Sequence, residues 1–339
     1  ENMAIKLAIN GFGRIGRLVL RAIIESNRKD VKVIAINDLG SAASNAHLLQ
    51  YDSVHGILTQ KVRATKSTIN AGKGPIKIFS ERNPEDLPWK ELNIDIVMEC
   101  TGIFTSREKS QLHLNAGAKK VLISAPSNDA DITVVYGVNH NKIRKRHKII
   151  SNASCTTNCL APVAKVINRL CGINQGYMTT VHAFTGDQSI LDVLHSDPRR
   201  ARAASQSIIP ASTGAAKAVG LVLPELQGRL DGTAVRIPTP NVSMIDLVFN
   251  AKKKTDIESI NNAMIRASRK ELKGVLAVEN RPLVSIDFNH NPHSSIFDLT
   301  QTQVIKGKLG RVLSWYDNEW GFANRMSDTA SVVGKLIKK

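Results

Sequence analysis

In the first half of the chain, short apolar runs alternate with segments in which apolar residues recur at helical spacing. The runs predict strands at 5–9, 31–36, 94–100 and 120–124, and the helical spacing predicts helices at 17–24 and 106–116. Such alternation is typical of a doubly wound, mostly parallel sheet, whose ligands collect at the carboxyl ends of the strands. Asp38, Thr101 and Ser124 stand at such ends.

The second half has longer segments in which apolar and polar residues alternate. They predict a helix at 160–170, strands at 176–184, 233–237, 243–250, 283–288 and 310–315, a loop at 185–212, and a final helix at 320–336. This pattern favours a mixed, largely antiparallel sheet. We therefore expect an α/β protein with an N-terminal Rossmann-type doubly wound parallel sheet (3–154), a C-terminal α+β domain (155–318) and a C-terminal helix (319–339).

The composition is that of a folded protein, with 339 residues, 42% hydrophobic and 22% charged. No stretch reaches the roughly 18 apolar residues of a membrane span, and no signal-peptide core follows the N-terminus, so membrane and secreted classes are excluded. Met3 is the expected native start. Four cysteines without a CxxC pair favour a reducing compartment, here the cytoplasm. Cys155 and Cys159 have no further ligands nearby, so no metal site is expected.

The net charge is unusual, because 46 Lys and Arg residues against 29 Asp and Glu residues give +17. The basic residues cluster at 142–148, 199–202, 252–254 and 335–339, and all but the cluster at 199–202 are typical of solvated loops and helix ends. The charge alone would also fit a nucleic-acid-binding protein or a protein with anionic ligands. No dedicated nucleic-acid motif accompanies the clusters, and none for a membrane.

A glycine-rich turn joins the first predicted strand to the first helix. Gly11 allows a tight turn, Gly13 lets the backbone approach a pyrophosphate, and Gly16 permits close packing of helix and strand. The helix N-terminus would offer N–H groups to the pyrophosphate. Asp38, at the end of the second strand, is placed to bind the ribose hydroxyls. This order of elements predicts a dinucleotide site, although a purely structural glycine turn has the same residues.

A second signal lies at 151–162, where Asn152 or Ser154 can cap a helix whose first turn holds Cys155. The helix dipole favours a thiolate by only about 0.3–1 kcal/mol, so strong activation needs a basic or cationic partner. His182, which we expect in the middle of a strand, is a candidate. On residue types alone, Cys155 is equally well an inert buried thiol and His182 a buried core histidine.

Taken together, these motifs resemble phosphorylating glyceraldehyde-3-phosphate dehydrogenase. The resemblance covers essentially the whole chain and rests on 10–16 (NGFGRIG), 151–162 (SNASCTTNCLAP), 207–226, 234–243 and 314–326 (SWYDNEWGFANRM). It implies a homotetramer whose C-terminal helix packs on the N-terminal domain. It also implies oxidation of D-glyceraldehyde 3-phosphate to 1,3-bisphosphoglycerate with NAD and inorganic phosphate, through a cysteine hemithioacetal and thioester.

Carried over residue by residue, the resemblance makes Cys155 the nucleophile and His182 its base. It assigns the substrate and its phosphates to Ser154, Thr156, Thr185, Arg200, Thr213, Gly214 and Arg236, with Arg199 as the alternative to Arg200. It assigns the cofactor to Gly11, Gly13, Arg14, Ile15, Gly16, Asp38, Arg82, Ser124 and Asn318. Among these, Arg14 and Ile15 belong to the pyrophosphate turn, Arg82 and Ser124 to the adenosine half, and Asn318 to the nicotinamide amide.

Two other enzyme classes compete with this interpretation. Erythrose-4-phosphate dehydrogenase has the same motifs, and 287–294 resembles that group as well, but Thr213-Gly214 and 37–39 match the glyceraldehyde enzyme. A Cys/His hydrolase would have no use for the dinucleotide turn. NAD-preferring members commonly have Leu-Pro where this chain has Val193-Leu194, so the expected preference for NAD over NADP depends mainly on Asp38.

Overall fold

The chain forms two compact units in a computed structural model that describes residues 4–338. The first unit holds the chain up to Tyr136, His140–Ala153 and the chain from Ala323 onward, and the second holds Gly137–Asn139 and Ser154–Phe322. The expected start at Met3 lies outside the described residues. None of the described helices is both long and apolar enough to cross a membrane.

The first unit alternates strands and helices along most of its length. Its elements are β1 (Ile5–Asn10), α1 (Arg14–Glu25), β2 (Val31–Asn37), α2 (Ala42–Gln50), β3 (Tyr51–Asp52), β4 (Gly56–Ile57), β5 (Arg63–Ala64), β6 (Thr68–Asn70), β7 (Pro75–Phe79), β8 (Ile96–Glu99), α3 (Arg107–Asn115), β9 (Lys120–Ile123), β10 (Ile132–Thr133) and β11 (Ile149–Ser151). Short 3-10 turns lie at Pro84–Asp86 and His140–Lys142.

Nine of these strands form one sheet in the order β10-β11-β9-β8-β1-β2-β7-β6-β5. The pairs are parallel except in the β5-β6-β7 meander. Asn10 pairs with both Asn37 and Glu99, so β1, β2 and β8 end at the same edge. The mostly parallel sheet predicted from the sequence is confirmed, and its carboxyl edge is where a ligand is expected.

Helix α1 follows the glycine turn and is buried without interruption from Leu18 to Ile24. Leu18, Val19 and Ala22 are almost fully buried, as are the β1 residues Leu7 and Ile9. Each fully buried Leu, Ile or Val contributes about 1.5–3 kcal/mol relative to an exposed one. This packing holds the N-terminus of α1 against the carboxyl edge of the sheet.

The final helix, α7 (Trp320–Lys338), packs against the first unit from Ala323 onward. Asp328 accepts a hydrogen bond from Arg28 at 2.5 Å, and Ser331 donates to Asp30 at 2.6 Å. Thr329 donates to Asn152 at 2.8 Å. These polar contacts fasten the last helix to the unit that contains β1 and α1.

The second unit is built on a mixed sheet. Its elements are α4 (Cys155–Cys171), β12 (Ile173–Ala183), β13 (Ile209–Ser212), α5 (Val219–Val222), β14 (Leu230–Ile237), β15 (Ser243–Ala251), α6 (Ile257–Arg269), β16 (Leu276–Glu279), β17 (Ser295–Asp298), β18 (Gln303–Ile305) and β19 (Leu309–Tyr316), with 3-10 turns at Pro224–Leu226 and Ser285–Phe288. The strand order is β13-β14-β12-β15-β19-β17-β16, and β18 pairs with β19. Only β12–β14 and β16–β17 are parallel among these pairs, so the predicted mixed, largely antiparallel sheet is confirmed.

Two predicted segments are wrong. The strand predicted at 283–288 is a 3-10 turn, in which the Asp287 carboxylate accepts the Val284 N–H. Val284 and Ile286 are exposed, so their alternation with polar residues does not mark a buried sheet face. The loop predicted at 185–212 ends in β13, an edge strand, where Pro210 is tolerated because an edge residue can lack an N–H partner.

Candidate active site

Cys155 is the first residue of α4. The Ser154 hydroxyl caps this helix by accepting the Thr157 N–H at 3.0 Å, so the structure selects Ser154 over Asn152 as the cap. The Ser154 side chain also contacts the Thr157 hydroxyl at 2.8 Å. The thiol thus lies at the positive end of the helix dipole, as the local sequence predicts.

The His182 imidazole faces the Cys155 thiol, with 3.6 Å between Nε2 and Sγ. Nδ1 lies 2.6 Å from the Ala183 carbonyl oxygen, which can only accept, so Nδ1 carries the proton and donates it there. Nε2 is therefore the basic nitrogen directed at the thiol. His182 is the penultimate residue of β12 rather than a mid-strand residue, which brings it to the strand end.

Burial opposes an isolated charge on either partner. Burial raises the pKa of the Cys155 thiol, while the Thr156 hydrogen bond and the Arg236 charge act in the opposite direction. Burial and Arg236 lower the pKa of His182 to about 4. Transfer of the thiol proton to His182 creates opposite charges whose attraction is about 4–5 kcal/mol at an effective dielectric near 20. The thiolate is therefore stabilised chiefly as a pair with the imidazolium.

Tyr316 lies behind this pair and was given no role by the sequence. Its hydroxyl is 2.8 Å from the hydroxyls of Thr156 and Thr180, and the edge of its ring meets the His182 ring at a centroid distance of 6.0 Å. The Thr156 side chain is thus engaged inside the protein. The tyrosine lies in the quoted motif at 314–326, but no local signal indicates what it contacts.

A cluster of cationic and polar side chains lies beside His182. Arg236 is the register partner of His182 in the β12–β14 pair, and its Nη1 donates to the Thr185 hydroxyl at 2.6 Å. Asp187 joins the two arginines, since it lies 3.9 Å from Arg236 and accepts from Arg200 at 3.0 Å. Parallel pairing therefore brings the predicted phosphate residues next to the predicted base.

Three buried nitrogen atoms in this cluster make no hydrogen bond: Nε of Arg236, Nε of Arg200, which lies 3.5 Å from the Asp197 carboxylate, and Nε2 of Gln188. Gln188 Oε1 also accepts weakly from Arg236, at 3.4 Å. Buried donors without partners are costly, and two guanidinium groups among them favour an anionic ligand. Sequence reasoning missed Asp187 and Gln188.

The two adjacent arginines that the sequence offered for the phosphate role, Arg199 and Arg200, differ in their surroundings. Arg200 is partly buried and bonded to Asp187, as above. Arg199 is exposed, and its main-chain N–H donates to Asp197. Of these two, Arg200 is therefore the one whose guanidinium bonds Asp187 in the cluster.

Thr213 and Gly214 form a turn attached to the first turn of α4. The Thr213 hydroxyl accepts the Ala215 N–H at 3.2 Å, and the Ala215 carbonyl accepts the Thr157 hydroxyl at 3.1 Å. Gly214 is exposed, with no atom within 4 Å of where a side chain would begin. This open turn lies at the same end of α4 as Cys155.

Asn318 is held by a chain of hydrogen bonds that leads back to His182. Its Oδ1 accepts from the Ser243 hydroxyl at 2.9 Å, and that hydroxyl accepts the Ala183 N–H at 3.0 Å. The neighbouring Asp317 accepts the Trp320 N–H at 2.7 Å at the start of α7. Ser243 thus orients the Asn318 amide, and Asp317 orders the start of α7; sequence reasoning missed both.

In the first unit, a cavity of about 530 Å³ opens at the carboxyl edge of the parallel sheet. It is lined by Asn10, Gly11, Gly13, Asn37, Asp38, Leu39, Glu81, Arg82, Cys100, Thr101, Ile103 and Phe104. The Asp38 carboxylate is oriented by the Phe12 N–H at 2.9 Å, the Gly40 N–H at 2.9 Å and the Asn45 amide at 3.2 Å. Its position fits a residue that accepts hydrogen bonds from a ribose.

The glycine turn has the geometry that a dinucleotide requires. Gly11 has φ +87°, and a Cβ there would lie 2.7 Å from the Thr101 side chain. A Cβ on Gly16 would lie 2.1 Å from the Gly11 carbonyl oxygen, whereas Gly13 faces open space. Two glycines are therefore needed for the turn, and the third leaves room for a ligand at the start of α1.

The remaining predicted cofactor residues differ in their positions. Arg82 lines the cavity, and Ile15 is half-buried in the first turn of α1. The Arg14 guanidinium pairs with Asp52 at 2.6 Å. Ser124 does not line the cavity itself, but it forms a hydrogen bond with Cys100, which does line it. Among residues 4–338, no group of three or more His, Cys, Asp or Glu side chains could hold a metal ion.

Comparisons with known proteins match both units. Residues 5–107 match the family described as "Glyceraldehyde 3-phosphate dehydrogenase, NAD binding domain", and residues 154–318 match its "C-terminal domain". The chain is 64% identical over 334 residues to "Glyceraldehyde-3-phosphate dehydrogenase" of Xanthobacter flavus, covering 98% of this chain and 100% of the relative. It is 59% identical over 335 residues to the protein of that name from Cereibacter sphaeroides (99% and 100% covered) and 54% over 332 residues to that from Geobacillus stearothermophilus (98% and 98%).

Proposed function

Because this chain belongs to the glyceraldehyde 3-phosphate dehydrogenase family, we propose that it oxidises D-glyceraldehyde 3-phosphate to 1,3-bisphosphoglycerate with NAD and inorganic phosphate. The family resemblance drawn from the motifs is confirmed, and with it an NAD-dependent oxidoreductase of the phosphorylating class. One observation carries the reaction: the basic nitrogen of His182 lies 3.6 Å from the Cys155 thiol.

In the proposed mechanism, His182 Nε2 takes the thiol proton, the Cys155 sulfur attacks the aldehyde carbon, and the imidazolium returns the proton to the former carbonyl oxygen, which gives a hemithioacetal. His182 then accepts the proton of the hemithioacetal hydroxyl as the carbon is oxidised to a thioester. NAD, when bound, supplies the hydride acceptor. Attack of inorganic phosphate on the thioester releases the acyl phosphate and restores Cys155. The Nδ1–H bond to Ala183 keeps the imidazole in the required tautomer throughout.

Both substrates bear phosphate, and two sets of donors support binding of two such groups. One set is the cluster of Thr185, Arg200 and Arg236, whose two guanidinium groups, with Nε of Arg236 making no hydrogen bond, suit a phosphate. The other is the turn of Thr213 and Gly214 beside the capped start of α4, with Ser154. Thr156 contributes through its bond to Tyr316, which orients the first turn around Cys155.

Replacing Arg236 with leucine should weaken use of glyceraldehyde 3-phosphate far more than use of unphosphorylated glyceraldehyde. A lost charge-assisted contact costs about 1.5–3 kcal/mol, or about 10-fold to 150-fold in kcat/KM. The measurement is kcat/KM for both aldehydes, with Arg199→Leu as the matched control, since that arginine is exposed. Equal losses on the two aldehydes would argue against a phosphate role.

The cofactor residues that would hold NAD are Gly11, Gly13, Arg14, Ile15, Gly16, Asp38, Arg82, Ser124 and Asn318. We expect NAD to be preferred over NADP, because a 2′-phosphate beside Asp38 brings two negative charges to about 4 Å. Each pair of charges costs on the order of 4 kcal/mol at an effective dielectric near 20, before screening. Val193 and Leu194 are exposed and offer no comparable repulsion.

Replacing Asp38 with alanine should therefore raise the ratio of NADP to NAD use by at least several-fold. The quantity to compare is kcat/KM for each nucleotide in the wild type and in the variant. Asp95→Ala, at a carboxylate outside the cavity, provides the control. A wild type indifferent to the 2′-phosphate, or an Asp38→Ala ratio equal to that of the wild type, would defeat this assignment.

We also propose that the protein is a cytoplasmic homotetramer. Each subunit would consist of an NAD-binding domain (3–154), a catalytic domain (155–318) and a C-terminal helix (319–339). Ile190, Leu191 and Leu194 are exposed apolar residues in one segment, which supports an interface between subunits. All four cysteines are free thiols, which supports a reducing compartment.

A single assay separates the proposed reaction from its competitors. Absorbance of the reduced nicotinamide should grow only when an aldehyde phosphate, NAD and inorganic phosphate are all present. Running it with erythrose 4-phosphate in parallel tests the alternative substrate, which the relatives' names do not favour. Turnover at the same rate without inorganic phosphate would point to thioester hydrolysis and overturn the phosphorylating reaction.

A further inference from the structure

A buried carboxylate lies next to the cofactor cavity and has no part in the chemistry described above. Glu99 is the last residue of β8, its side chain is fully inaccessible, and Cys100 and Thr101, which line the cavity, follow it directly. Its Oε1 accepts the Thr101 N–H at 2.9 Å and the Thr101 hydroxyl at 2.5 Å. Its Oε2 accepts from Asn10 at 2.6 Å and lies 2.8 Å from His113 Nε2.

The hydrogen-bond pattern determines where the protons are. The indole N–H of Trp89 can only donate, and it meets His113 Nδ1 at 3.1 Å, so Nδ1 accepts and Nε2–H donates to Glu99. The Thr101 hydroxyl accepts the Ile103 N–H and lies 2.5 Å from Glu99 Oε1. The other three contacts of Glu99, from the Thr101 N–H, the Asn10 amide and His113 Nε2, are all donors. Hydrogen bonds from such donors favour the ionised carboxylate, which lies beside a neutral imidazole.

From Asn10 the same network continues along the rim of the cavity. Asn10 Oδ1 accepts the Asn37 amide at 2.7 Å, and Asn37 in turn bonds the main chain of Glu81, accepting its N–H at 2.8 Å and donating to its carbonyl at 2.9 Å. The main-chain donor and acceptor of Glu81 cannot be exchanged. The orientation of both amides is therefore set at one end by Glu81 and at the other by the charge of Glu99.

We propose that Glu99 and His113 are positioning residues for the cofactor: the carboxylate aligns Thr101 and the Asn10–Asn37 pair, so that the cavity is organised before NAD enters. The proposal rests on the NAD site proposed above. A rim that is already ordered lowers the entropy lost on binding. Asn37 directly precedes Asp38, so the effect falls on the adenosine half of the cofactor.

Glu99→Gln tests this with almost no change of shape. In a glutamine, one of the two carboxylate oxygens is replaced by an NH₂ group, which faces donors instead of accepting from them. The Asn10 and Asn37 amides cannot turn over to compensate, because the Glu81 main chain fixes the orientation of Asn37. We expect the Kd for NAD, measured by calorimetry, to rise about 10-fold to 100-fold, as loss of a buried charged hydrogen-bond acceptor implies. The Kd for ADP-ribose should rise by the same factor, while kcat at saturating NAD stays within about threefold of the wild-type value.

The His113 side chain supplies an independent pair of variants if Glu99→Gln does not fold. His113→Phe keeps a ring but removes the donor to Glu99, and His113→Gln restores an N–H. The phenylalanine variant should bind NAD more weakly by about 10-fold, and the glutamine variant should recover most of that loss. Equal affinity in these two variants would contradict the proposal.

Asp95→Asn is the matched control, because Asp95 is a buried carboxylate just before the same strand. It accepts the Lys6 N–H at 2.8 Å and Lys119 Nζ at 2.7 Å, and it does not line the cavity. It should lower the Tm without changing the Kd for NAD. If Glu99→Gln lowers the Tm but binds NAD with the wild-type Kd, the network is only structural. The same follows if Asp95→Asn raises the Kd for NAD as much as Glu99→Gln does. A wild type that binds no NAD would instead overturn the cofactor site itself.

Discussion

Replacing Cys155 with serine should abolish aldehyde oxidation, lowering kcat/KM by at least about 10³-fold. Serine keeps the geometry at the start of α4, but its hydroxyl is far less acidic than a thiol, and no thioester can form. A thiol with an ordinary pKa of about 8.5 is only about one tenth thiolate at pH 7.5, so full ionisation adds about tenfold. Most of the rate must therefore come from position and from His182.

Cys159→Ser is the matched control for this variant, since Cys159 lies one helical turn further on. It is fully buried, its Sγ lies 3.3 Å from the Ser295 hydroxyl, and burial raises its pKa to about 12. It should keep most of the activity. Alkylation of the active enzyme should label Cys155 alone, and labelling of Cys159 or Cys171 in step with inactivation would refute the assignment.

Replacing His182 with asparagine should lower kcat by about 10²-fold to 10⁴-fold, the usual contribution of a general base. The pKa of about 4 keeps the imidazole neutral, and so able to accept a proton, at all pH values well above 4. Asparagine preserves much of the volume but offers no basic nitrogen at 3.6 Å from the thiol. An exposed histidine on α2, His47, provides the control in His47→Asn.

The same variant should change how alkylation of Cys155 depends on pH. Burial raises the pKa of this thiol, the Thr156 hydrogen bond and the Arg236 charge act in the opposite direction, and transfer of the proton to His182 adds a positive charge 3.6 Å from the sulfur. Without the imidazole, thiolate forms at higher pH, so the iodoacetamide rate profile of His182→Asn should move upward in pH. An unchanged profile would mean that Arg236 and the helix dipole suffice without the histidine.

The features that could be predicted from sequence alone are those formed by residues close together in the chain. The glycine turn between β1 and α1, the acid after β2 and the cap at the start of α4 each involve neighbours in the chain. The backbone freedom of Gly11 and the hydroxyl of Ser154 act within a few residues. The family resemblance rests on motifs of this kind, and most candidate site residues were assigned from that resemblance.

Where burial or contacts between distant residues decide the structure, the sequence offered no signal or a misleading one. The apolar alternation at 283–288 predicted a strand because exposure of Val284 and Ile286 cannot be seen in one dimension. Likewise, nothing near Tyr316 in the chain indicates that its hydroxyl bridges Thr156 and Thr180. Residues so far apart in the chain meet only after the sheet has formed.

The sequence by itself thus determined the alternation of strands and helices in the first half, the two sheet types and the turn that accepts a dinucleotide, because periodicity, glycine and capping are local properties. Tertiary structure alone decided which nitrogen of His182 is basic, through the Ala183 carbonyl, and placed Arg236 beside it through the register of β12 and β14. It also gathered Glu99, His113 and Asn10 around one buried charge. The reason is physical: hydrogen-bond partners and desolvation are set by neighbours in space, which the order of residues does not specify.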